Sequence, residues 1–183
     1  MTMTARGMRH PEAQFTFASR AAFLSSVVAA LGVLFLVVMY LGFLIPAKAL
    51  LVFGSLNDLC VLAQYALALP VVVALDEVLA PLSAWHRRVI LVIGLLGCLG
   101  AVCFQALLLL GVMSFRQQVG FASLSVLLAG LWAVLATLGV RRLRPFPAST
   151  ALLVATGLYF GYPLWSLRVS RVLRGDGTSS PAT

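Results

Sequence analysis

The chain has 183 residues, of which 62% are hydrophobic and 10% charged, and its mean hydropathy is +1.06. This balance excludes a soluble globular domain, a disordered chain and a disulfide scaffold, because no long polar stretch is present to form a water-facing surface. Thirteen basic residues against five acidic ones give a net charge of +8. The arginines flank apolar runs and form no exposed stripe, so they read as topology signals facing anionic headgroups and not as a nucleic-acid surface.

The gaps between charges measure the elements. There are 27 uncharged residues from Arg20 to Lys48, 27 from Arg88 to Arg116, 24 from Arg116 to Arg141 and 23 from Arg144 to Arg168. Each exceeds the ~20 residues that a spanning helix needs. The interval from Asp58 to Asp76 holds 17, short but sufficient when each acid sits among headgroups. Five spans are predicted, at about 21–45, 58–79, 89–113, 121–140 and 150–167. All are helices, since lipid offers the backbone no partners and the alternation of a β-barrel is missing. The fold class is therefore all-α, a polytopic membrane protein built as an antiparallel bundle of five transmembrane helices. A basic N-terminal segment (1–20) precedes the single transmembrane domain (21–167), and a basic, partly disordered tail (168–183) follows it.

Taken in order, Pro46 closes the first span, whose apolar core is too long for a cleaved signal peptide. Residues 47–57 read as a connection too short to cross. Ser55 and Asp58 have the spacing of a capping box, which makes Asp58 first of all a cap for the second helix. Pro70 predicts a kink in that helix and is the natural hinge if it moves. Pro81 ends it, Gly120 separates the third and fourth helices, and an Arg-Arg-Leu-Arg-Pro-Phe-Pro run with Ser149 and Thr150 leads into the fifth.

Positive charge sets the orientation. With the N-terminus inside, eight arginines (Arg6, Arg9, Arg20, Arg87, Arg88, Arg141, Arg142, Arg144) lie inside, against Lys48 and Arg116 outside. Five spans would add Arg168, Arg171 and Arg174 to the outside. Either that tail translocates despite its charge, which is the expectation taken forward, or the last apolar segment is a re-entrant hairpin or surface helix.

Polar residues within spans are the candidate site, because they are costly in lipid and turn toward the bundle interior. Gln64 lies ~9 Å from the outer start of its helix and Gln105 ~12 Å from the outer end of the third, at ~1.5 Å per residue. Matching depths predict an interhelical amide pair in the outer half, together with Asp58, Ser125 and Tyr159. Two readings are open: these groups clamp the helices, or they line a cleft for a small ligand or lipid headgroup with Asp58 as its charged member. Gly94, Gly97, Gly100 and Ala101 form a small-residue face on the third helix for close packing or dimerisation. Asp76 and Glu77 face Arg87 and Arg88 across a turn and predict a headgroup-level ion pair. His86 beside them makes a poor metal set, and Cys60, Cys98 and Cys103 read as packing residues.

The segments 57–75 (from Asn-Asp-Leu-Cys to Ala-Leu), 115–120 (Phe-Arg-Gln-Gln-Val-Gly) and 157–165 (ending Gly-Tyr-Pro-Leu-Trp) resemble small bacterial multi-pass membrane proteins of unknown function with five or six helices. The resemblance implies a bacterial cytoplasmic membrane and no particular activity. No catalytic triad, phosphate loop, haem-type histidine pair or metal motif is found, so neither an enzyme nor a cofactor is expected. The expected function is an accessory or interaction protein of the cytoplasmic membrane, in contact with membrane lipids and with a second copy or another membrane protein. The alternative is a small-molecule or lipid-binding transporter using the outer-half polar site.

Overall fold

The computed structural model describes residues 10–42, 47–143 and 169–171, with side chains over 14–42, 51–140 and 169–171. The described residues are all helical apart from short turns. Four long helices follow one another: α1 (His10–Tyr40), α2 (Ala47–Val78), α3 (Ala84–Leu109) and α4 (Phe115–Leu143). Each contains 26 to 28 residues apolar enough to cross a membrane, which points to a membrane protein.

Antiparallel neighbours pack in chain order, α1 on α2, α2 on α3 and α3 on α4. One end of the bundle, where α1 and α3 begin and α2 and α4 finish, carries Arg20, Arg87 and Arg88. We call it the basic end. The opposite, far end carries the start of α2 and the α3–α4 turn. The core is a seam of small and branched side chains: Ala18, Ala21, Ala22 and Ala29 on α1, with Ala68, Val72, Leu75 and Leu79 on α2. Trp132 of α4 is the largest fully buried side chain. It fits because Gly94 has no side chain there; a Cβ on Gly94 would sit 2.5 Å from the indole Cδ1.

The helix boundaries correct the predicted ones. The second helix starts at Ala47 and not at Asp58, so residues 47–57 are not a loop. This stretch is Ala- and Leu-rich with no internal proline. One glycine costs only about 1 kcal/mol against alanine, little beside the need to bond every amide in lipid. Ser55 accordingly donates to the Leu51 carbonyl four residues back (3.1 Å), as a serine inside a helix does, and no capping box forms with Asp58. α2 also continues through Pro70 as one helix.

The turn between α3 and α4 lies at Gly111–Ser114, while Gly120 is inside α4. Gly111 has φ +69°, and the Gly111 and Val112 amides donate to Leu108 and Leu107 (2.9 and 3.0 Å). That is a Schellman closure, which needs a left-handed residue at this position. At the start of α4 Gln117 reaches back to Ser114, whose amide and hydroxyl both donate to Gln117 Oε1 (3.1 and 2.8 Å), one half of a capping box. α3 starts earlier than predicted because Ser83 caps it, accepting from the His86 amide.

The predicted fifth span, 150–167, lies outside the described residues. Its flanks do not. Residues 169–171 are helical and bury Val169 and Ser170 against the start of α1, where Ser19 Oγ donates to the Ser170 carbonyl (2.9 Å). Leu143 and Val169 thus stand at the same, basic end.

Candidate functional site: a polar cluster at the far end

The longer α2 changes the meaning of Asp58. It is seven residues into the apolar stretch that begins at Leu51, ~10 Å along the axis. A 28-residue stretch is ~42 Å long against ~30 Å of hydrocarbon, so a centred helix extends ~6 Å beyond each boundary. Asp58 is then ~4 Å inside hydrocarbon, half-buried, as part of the helix wall and not as its cap.

Its neighbour across the α2–α3 interface is Gln105. The Asp58 carboxyl faces the Gln105 amide, yet Gln105 Nε2 is buried and has no hydrogen bond of ordinary geometry. The other end of that amide is committed: Gln105 Oε1 accepts from Gln118 Nε2 of α4 at 2.9 Å, and both glutamines are buried. Gln118 holds the orientation of Gln105, and the arrangement presents an amide N–H toward a carboxylate without closing the bond. Gln118 lies three residues into α4, at headgroup depth, so the cluster runs from the interface inward.

The predicted site residues therefore separate. Asp58 and Gln105 come together. Gln64 does not join them: α2 begins eleven residues earlier and α3 ends four residues earlier than predicted, which moves Gln64 to mid-bilayer. There it is buried on the α1 side, its carbonyl accepting from Ser25 Oγ at 3.1 Å, and among the described residues no hydrogen bond joins it to Gln105. Ser125 is deeper in α4, donates to the Phe121 carbonyl (2.9 Å) and packs on Gly100. Tyr159 lies outside the described residues. Gln118 was missed because its neighbour Gln117 is a capping residue and the pair reads as loop when α4 is started at Phe121.

Small residues on α3 are used inside the bundle. Cβ atoms added at Gly94, Gly97 and Gly100 would run into Trp132, the Ala129 backbone and Ser125 respectively, one antiparallel ladder along α4. Ala101 is buried in the same core. At the basic end the expected ion pair is present, with Arg87 Nε 3.1 Å from Asp76 Oδ1, though not aligned as a hydrogen bond. Glu77 is exposed, and His86 is engaged with Ser83. Among the described residues no three His, Cys, Asp or Glu side chains could hold a metal ion.

Comparison with family models, curated proteins and solved structures gives no match to this chain.

Proposed function

We propose that this protein is an integral membrane protein that binds a small ligand bearing an ammonium or other hydrogen-bond donor at Asp58, in a transporter or binding role. The observation that carries this reading is Asp58 itself: an acid inside an apolar helix, facing a buried amide N–H that does not bond to it with ordinary geometry. Acids in spans are costly and rarely idle, and a half-satisfied polar cluster is worse for stability than an apolar contact. A third group entering between Asp58 and Gln105 completes both. The site lies close to the boundary, so a molecule in the headgroup layer or the outer aqueous phase reaches it without crossing the bilayer.

The alternative, an accessory or interaction protein, draws on short loops, the lack of a charge pathway across the bilayer and the small-residue face of α3. Because α4 already fills that face, a partner helix has to use another surface, and the argument for association is correspondingly weaker. The counts of arginine favour a cytoplasmic basic end in a cell membrane, with Asp58 opening to the outer side. Native mass spectrometry of the protein released from lipid nanodiscs tests the proposal. A bound amine-bearing lipid or metabolite that is lost in Asp58→Asn supports it; wild-type retention in that variant refutes it.

A further inference from the structure

The second polar feature is at the basic end, away from Asp58. A cavity of about 610 Å³ opens along the start of α1, lined by Thr16, Ser19, Arg20, Phe23 and Leu24. Its composition is graded along the helix: the Ser19 hydroxyl and the Arg20 guanidinium, then exposed Phe23 and Leu24 one turn deeper, continued by exposed Val27 and Leu31. A headgroup above and an acyl chain below match that order.

Charge is concentrated at the mouth. Ser19 and Ser170 are buried and hydrogen-bonded, Oγ to Oγ at 3.3 Å as well as Oγ to carbonyl, and the residue after each is an exposed arginine. With ~3.8 Å between consecutive Cα atoms, the Arg20 and Arg171 Cα atoms are at most about 16 Å apart. Among the described residues the only ion pair is Arg87 with Asp76, so neither Arg20 nor Arg171 is matched to an acid there. Arg20 in the lining of an apolar groove, with Arg171 close by and neither paired with an acid among the described residues, calls for an anion with a hydrocarbon tail.

We propose that this groove seats an anionic phospholipid, with its phosphate between Arg20 and Arg171 and an acyl chain over Phe23 and Leu24. Bidentate contact with phosphate is what guanidinium provides and ammonium does not. The site is independent of Asp58.

The test uses the full chain in nanodiscs of phosphatidylcholine alone and of phosphatidylcholine mixed with phosphatidylglycerol, with retained lipid counted by native mass spectrometry. Phosphatidylglycerol is expected to be retained preferentially. Arg20→Gln and Arg171→Gln each lower that retention about fivefold; Arg20→Lys recovers part of it, and Arg116→Gln, at the far end, leaves it unchanged. Both arginines are exposed, so the variants fold. Equal retention of the two lipids, or an equal loss in Arg116→Gln, overturns the proposal. So does displacement of the lipid by inorganic phosphate alone, which would make the site one for a free anion.

Discussion

Gly97→Ala is the sharpest probe of the packing, because the clash it introduces is with backbone. A Cβ there meets the Ala129 amide nitrogen and lies 2.8 Å from the Ala129 Cα, where carbon pairs are best separated by ~3.5–4.0 Å. No side chain can turn away, so α3 and α4 must part by about 1 Å. Overpacking of this kind costs ~1–3 kcal/mol, and replacing a helical glycine by alanine returns ~1 kcal/mol, leaving a net loss of up to about 2 kcal/mol. Gly120→Ala is the internal control: it is also inside α4 but its Cβ meets nothing within 4 Å, so it should gain about 0.5–1 kcal/mol. Reversible unfolding in mixed micelles, followed by circular dichroism, should therefore separate the two variants by the overpacking cost, about 1–3 kcal/mol. Gly100→Ala should lie between them, since it meets the Ser125 Oγ, and Ser125→Ala should relieve it; Ala129→Gly should not relieve Gly97→Ala. Equal stability of Gly97→Ala and Gly120→Ala would refute the close helix approach.

Three further outcomes are expected. Gln118→Leu deprives buried Gln105 of its hydrogen bond and should cost ~0.6–1.7 kcal/mol in the same unfolding assay, while Gln117→Leu should act only through the α4 cap. Ser83→Ala removes the side chain that caps α3 and should cost ~1 kcal/mol, whereas Ser55→Ala, which only bonds back along its own helix, should cost almost nothing. Finally, Arg20→Cys and Arg171→Cys should react with a membrane-impermeant maleimide from the same side of sealed vesicles; opposite sides would contradict the Ser19–Ser170 contact.

Helix content, the number of long spans up to α4 and the Asp76–Arg87 pair were all readable from the spacing of charges, because lipid penalises charge and unbonded backbone so strongly that few other patterns remain. Boundaries were less readable. Charges were taken as the ends of helices, but Arg20, Asp58, Arg87 and Arg116 all lie within one, since a long side chain on a helix can reach the interface without ending it. Asp58 was assigned as a cap because Ser55 and Asp58 have the right spacing; the same spacing at Ser114 and Gln117 is the one used, and there Gly111 supplies the break that 47–57 lacks. The error propagated to the site. Shifting the start of α2 by three turns moved Gln64 out of the cluster and put Gln118 where Gln64 was expected. Glycine spacing on α3 was visible, but which helix fills it depends on the register with α4, and that is set by Trp132 over Gly94.

The bond between Ser19 and Ser170 joins residues 151 positions apart. Ribosomes add ~5–20 residues per second, so α1 is complete for roughly 6–26 s before Ser170 is made. During that interval the contact of Ser19 with Ser170 is not yet made. The contact therefore ties the first long helix to a segment made well after the fourth, so that end of the bundle closes last.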